Sequence, residues 1–98
     1  MRTMAFALAF GVLVQGTAYA QDDASRALAA TCTGCHGTDG ASGGQIPSIR
    51  GLEAERMVTL LQEFRDGKRE ATIMQQLAKG FTDEQIQALA KWFASQSR

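Results

Sequence analysis

The chain has 98 residues, of which 45% are hydrophobic, and ten basic residues balance ten acidic ones. This length allows one domain at most, and the charge balance argues against a nucleic-acid-binding protein, which would show a basic excess. Residues 1–20 have the features of a secretory signal peptide: a positive charge at Arg2, an apolar run over residues 5–14 and a small-x-small site at residues 18–20. We therefore expect cleavage after Ala20 and a location in the periplasm.

Cleavage would leave a small acidic domain over residues 21–98, with nine basic residues against ten acidic ones. The apolar run that it removes is about half a bilayer span, so we expect no transmembrane segment in the mature chain, although an uncleaved anchor is an alternative. Domains this small often depend on a disulfide, a metal or a cofactor. The two cysteines lie three residues apart, so a disulfide between them would close almost no loop. The stabilising element should be something else.

The first half of the mature chain predicts one helix followed by a long loop. An alanine-rich helix is expected from Asp23 to about Thr31. Six glycines and the only proline fall within residues 34–51, which is typical of a loop with turns.

The second half predicts three helical segments. Apolar residues at helical spacing favour a helix from about Glu53 that ends at Gly67. After a polar loop over residues 68–72, residues 73–78 form a short helical turn. The last helix begins after Thr82, whose capping box is completed by Gln85. Its apolar stripe, expected to pack against the helix that contains Ala27 and Leu28, consists of Ile86, Leu89, Trp92 and Phe93.

Residues 32–36, with the sequence Cys-Thr-Gly-Cys-His, form a C-x-x-C-H motif. This spacing is the attachment signature of c-type haem. The two thiols add to the two vinyl groups on one porphyrin edge, and the next residue places an imidazole beneath the iron. We therefore predict one covalent haem c, bound through Cys32 and Cys35, with His36 as the proximal ligand.

This motif has three other interpretations. A thioredoxin-like dithiol needs a preceding strand, whereas a helical pattern precedes the motif. A structural zinc site needs about four ligands, and two cysteines with one histidine would require a carboxylate as well. The third is a chance match in an oxidising compartment. The signal peptide favours haem, because haem c is attached outside the cytoplasm.

The sixth iron ligand is expected to be a methionine. His36 is the only histidine, which excludes a bis-histidine iron within one chain. Met57 lies on an apolar helical stripe and is better explained as a core residue. Met74 follows a polar loop that can fold back over the distal haem face, so we favour Met74. A water ligand or an open site is the remaining alternative.

Pro47 is a candidate partner of the proximal ligand. Its carbonyl lies eleven residues after His36 and can accept a hydrogen bond from the Nδ1–H of the imidazole, which would orient the ring and increase its basicity. The alternative is a proline that only shapes a turn.

Together these features resemble class I c-type cytochromes. Across nearly the whole mature chain, and most specifically over residues 71–81, the sequence is similar to the single-haem cytochrome subunits of flavocytochrome c sulfide dehydrogenases. The resemblance implies an all-α fold, a small class I cytochrome c wrapped around one covalently attached haem. It also implies His36 and Met74 as axial ligands.

The resemblance further implies an electron-transfer subunit that is not an enzyme on its own. Such a subunit binds an FAD-containing sulfide dehydrogenase subunit, which alone carries the FAD, and passes electrons to a downstream soluble acceptor. A free periplasmic monohaem carrier in a respiratory chain is one alternative. A haem enzyme or gas sensor with an open distal site is another, and it requires that Met74 not bind iron.

The loops on either side of the expected haem edge suggest a mostly uncharged docking face and a stable heterodimer. Their small or uncharged residues are Gly40, Ala41, Gly43, Gly44, Ile46, Ala71, Thr72 and Ile73.

Overall fold

The computed structural model describes residues 17–96 together with Ala5, Ala9 and Gly11. Most of the predicted signal peptide lies outside the described residues, and cleavage after Ala20 stays a prediction. The described residues form helices α1 (Thr17–His36), α2 (Ala54–Arg65), α3 (Met74–Ala78) and α4 (Asp83–Ser95), with a 3-10 turn at Thr38–Gly40. They contain no strand, which confirms the all-α class. None of these helices is long and apolar enough to cross a membrane.

Helix α1 is longer than the predicted helix at both ends. It spans 20 residues and includes the whole C-x-x-C-H motif, which was expected to lie between a helix and a loop. Gly34 does not end the helix, because a single glycine costs only about 1 kcal/mol relative to alanine, and the helix is already established over the alanine-rich residues 24–30 that precede it. The chain leaves the helix at Gly37, whose φ of 88° is a conformation that suits glycine.

The other helices follow their sequence signals closely. Gly67, with φ 74°, occupies the expected stop position after α2. At the start of α4, the amide of Gln85 donates to the Thr82 hydroxyl at 3.1 Å, and the amide of Thr82 donates to Gln85 Oε1 at 2.9 Å. The predicted capping box is therefore confirmed.

The core lies where α1, α2 and α4 meet. Its buried members are Ala29, Met57, Leu61, Ile86, Leu89, Ala90 and Phe93. The predicted stripe of α4 is confirmed except at its edge, because Trp92 is only half-buried and packs on the outside of this cluster. The expected packing of the stripe against the first helix is confirmed, with Leu28 and Ala29 facing the core, whereas Ala27 is exposed.

The loop between α1 and α2 is fastened to itself and to α4. The carbonyl of Gly40 accepts hydrogen bonds from the amides of Ile49 (2.8 Å) and Arg50 (3.1 Å), and the amide of Gly51 donates to the carbonyl of Phe93 at 2.8 Å. Gly40 is required here, since a Cβ at this position would lie 2.9 Å from Cδ1 of Phe93. This closure fixes the segment that carries Pro47.

Candidate haem site

The two thiols of the motif lie on the last turns of α1. Cys32 and Cys35 are three residues apart, a spacing that places side chains on the same face of a helix. Both are free cysteines, Cys35 exposed and Cys32 half-buried against the core. Burial raises the pKa of the Cys32 thiol above its ordinary value, and a contact with the Thr31 hydroxyl partly offsets this effect. The two sulfurs are not joined by a disulfide, and both lie on the same face of α1.

The last residue of the motif is held by the loop. His36 Nδ1 lies 2.6 Å from the carbonyl oxygen of Pro47, so the hydrogen bond considered from the sequence is present. Because a carbonyl can only accept, Nδ1 donates in this hydrogen bond, and Nε2 is the nitrogen of the neutral ring that remains for a metal. A partner on Nδ1 fixes the ring orientation and increases the basicity of the other nitrogen.

The two candidate thioethers occupy different environments. Met57 is 4% exposed and belongs to the buried cluster between the helices, which confirms its interpretation as a core residue. Met74 is the first residue of α3 and is half-buried against the rim of the same cluster, to which Cys32 also packs. Of these two methionines, Met74 is therefore the one that is partly accessible.

Apolar side chains flank the candidate ligands. Ile46, next to Pro47, is 43% exposed, and Ile73, next to Met74, is 54% exposed. Leu77, one turn further along α3, is 47% exposed. Large apolar side chains beside polar or metal-binding groups are typical of sites for extended apolar cofactors.

The donor set fits an iron whose remaining ligands come from a porphyrin. Among the described residues, no three His, Cys, Asp or Glu side chains come together in a group that could hold a metal ion. This argues against the closed zinc site considered above, which needs about four protein ligands. An imidazole nitrogen and a thioether are instead iron donors found with haem c, and two thiols at helical spacing are the groups that attach to the vinyl carbons of its porphyrin.

Sequence reasoning did not identify Ser48 as part of the site. Its hydroxyl donates to the carbonyl of Gly40 at 2.9 Å and closes the loop directly beside Pro47. No local signal distinguishes this serine from the others in the chain, because the contact joins residues eight positions apart.

Comparison with known proteins assigns the chain to a family. The model of the Cytochrome c family matches residues 21–97. The chain is 45% identical over 71 residues to the cytochrome subunit of sulfide dehydrogenase from Chlorobaculum tepidum, covering 72% of this chain and 64% of that protein. It is 37% identical to cytochrome c-554(548) of Halomonas halodenitrificans, covering 67% of this chain and 84% of that protein.

A further relative matches more of this chain. Cytochrome c-553 of Nitratidesulfovibrio vulgaris is 34% identical, with 90% of this chain and 86% of that protein covered. The alignment with the Chlorobaculum subunit, in contrast, spans less than two thirds of that subunit's length. The family match nevertheless extends from the start of the predicted mature chain through the motif and both candidate methionines. The chain therefore belongs to the cytochrome c family, and its cofactor is a covalently bound haem c.

Proposed function

We propose that this chain is the electron-transfer haem subunit of a flavocytochrome c sulfide dehydrogenase. It accepts electrons from an FAD-containing subunit and passes them to a downstream soluble acceptor, and it is not an enzyme on its own. The observation that carries this proposal is the 45% identity over 71 residues to a cytochrome subunit of sulfide dehydrogenase. Membership of the cytochrome c family supports the electron-carrier part independently.

The residues that hold the haem are assigned as follows. Cys32 and Cys35 form the thioethers, His36 Nε2 is the proximal ligand, and the sulfur of Met74 is the sixth ligand. The haem supplies a one-electron Fe(III)/Fe(II) couple, and a His/Met pair favours a relatively high reduction potential. The role of the protein chain is to keep the haem and its two iron ligands in fixed positions. The hydrogen bond from His36 to Pro47 supports this role, because it holds the imidazole in one orientation.

The docking face is proposed to be uncharged. Residues 41–49 and 71–78, which flank Pro47 and include Met74, contain no charged side chain. Both segments carry exposed apolar side chains. These support stable binding to the partner that does not depend on salt, rather than a transient encounter between charged surfaces. Gly40 does not belong to this face, because it is buried against Phe93.

The periplasm is the proposed location, with residues 1–20 removed as a signal peptide. The charged start, the apolar run and the small residues at 18–20 support this assignment. The family match, which begins at residue 21, agrees with a mature domain over residues 21–98.

Size-exclusion chromatography of the native protein tests the partner. We expect haem and FAD absorbance to elute together in a heterodimer at low and at high salt, because an uncharged interface is little screened by ions. Elution of a flavin-free monomer under all conditions would contradict the flavocytochrome assignment. It would leave the free periplasmic carrier as the better account.

A further inference from the structure

The loop between α2 and Met74 is tied down by its backbone only at its start. In the described part of the chain, the amide of Gly67 donates to the backbone carbonyl of Phe64 at 3.2 Å, and the amide of Lys68 donates to the backbone carbonyl of Glu63 at 2.9 Å. Backbone hydrogen bonds resume at the amide of Gln76, which donates to Ile73 at 2.9 Å. The segment that delivers Met74 therefore depends on side chains for its position.

Arg69, near the middle of this loop, supplies such a side chain. Its Nε donates to Glu63 Oε2 at 2.9 Å, and its guanidinium lies over the ring of Phe64, 5.9 Å from the ring centroid. Both partners lie in the last turns of α2. Arg69 also lines a cleft with four other loop residues and with Gln75, the residue that follows Met74. Arg69 thus fastens the middle of the loop to the end of α2.

We propose that Arg69 is a positioning residue that keeps the sulfur of Met74 on the iron by fastening its loop to α2. The inference rests on the proposed role of Met74 as the sixth ligand. A methionine on a free loop gains chain entropy when it leaves the metal. The contacts of Arg69 with Glu63 and Phe64 oppose that departure, because they hold the loop in its ligand-bearing position.

The size of the effect follows from the exposure of these contacts. The side chains of Arg69 and Glu63 are 40% and 32% exposed, so their ion pair is a modest interaction. The cation–π contact adds a second modest term. We therefore expect loss of Arg69 to raise the population of methionine-free iron by about tenfold.

Arg65 provides a matched control. It is also an arginine with a carboxylate partner, but its Nη1 donates to Asp83 at 2.5 Å and so joins α2 to α4. The hydrogen bond with Asp83 raises the pKa of Arg65. The other ion-pair partner of Arg65 is Asp66, the residue directly after α2, so neither contact involves the middle of the loop. A substitution at Arg65 tests whether any lost ion pair on α2 has the same effect.

The experiment measures cyanide binding to the ferric holoprotein at one fixed pH, since cyanide enters when the sixth ligand leaves. Arg69→Ala should bind cyanide about tenfold faster than the wild type, and Arg65→Ala within about twofold of it. Glu63→Gln should accelerate binding less than Arg69→Ala, and the double variant should match Arg69→Ala because the two residues share one contact. If Arg69→Ala yields no holoprotein, cyanide binding is measured on Glu63→Gln and Arg69→Lys instead.

Two contrary results are distinguishable. A wild-type rate in Arg69→Ala, with the red charge-transfer band of methionine-ligated ferric haem intact, would overturn the role of Arg69 alone. A wild-type protein that lacks this band and binds cyanide as fast as Met74→Ala would overturn the ligand assignment and the role of Arg69 together.

Discussion

Met74→Ala should open the sixth coordination position of the haem iron. The thioether of methionine stabilises Fe(II), so its loss should lower the reduction potential. The vacant position should bind carbon monoxide in the reduced protein and cyanide in the oxidised protein. Redox titration and absorption spectra of the variant measure both effects, and the red charge-transfer band of methionine ligation should disappear.

Met57→Ala is the control for this substitution. Met57 is 4% exposed in the core, so its truncation should cost about 2–5 kcal/mol of unfolding free energy. The haem spectrum should be preserved, because no iron bond is removed. If Met57→Ala abolishes methionine ligation and Met74→Ala does not, the assignment of the two methionines is reversed.

Phe93→Ala should destabilise the holoprotein by about 3–5 kcal/mol. Phe93 is fully buried, and its ring lies so close to Gly40 that a Cβ there would be 2.9 Å from Cδ1 of the ring. Its carbonyl also accepts the hydrogen bond that anchors Gly51 to α4, so a cavity here loosens the loop that carries Pro47. A loss of this size is a large fraction of the stability of a small domain. Denaturant unfolding of the holoprotein, followed by far-ultraviolet circular dichroism, measures it.

Trp92→Ala is the neighbouring control. Trp92 is only half-buried, so its truncation should cost clearly less than that of Phe93. Equal midpoints for the wild type and Phe93→Ala would show that α4 does not dock as described.

Local signals were sufficient for most of the fold. The capping box at Thr82, the stop at Gly67 and the stripe of α4 each depend on residues close in sequence, and each is present in the structure. The extent of α1 was not predictable in the same way. Gly34 weakens a helix by too little to end one that is already established over the alanine-rich residues 24–30, and the true end at Gly37 depends on a positive φ that composition does not reveal.

In the candidate haem site, too, the residues with local sequence signals could be predicted and the others could not. The C-x-x-C-H motif predicts three haem-binding residues by spacing alone, and the pairing of Pro47 with His36 follows from knowing what imidazole ligands require. Arg69 could not be found from the sequence. Its partners belong to the preceding helix, and the sequence of a polar loop with several charged residues does not indicate which of them contacts that helix.

Reduction by sulfide tests the central claim most directly. The haem absorbance of the purified protein is followed anaerobically after addition of sulfide, with and without the FAD-containing subunit. Our account predicts full reduction of the haem when that subunit is present and little when it is absent. Reduction at the same rate without the flavoprotein, or none in its presence, would contradict the claim that this chain receives its electrons from a sulfide-oxidising flavin subunit.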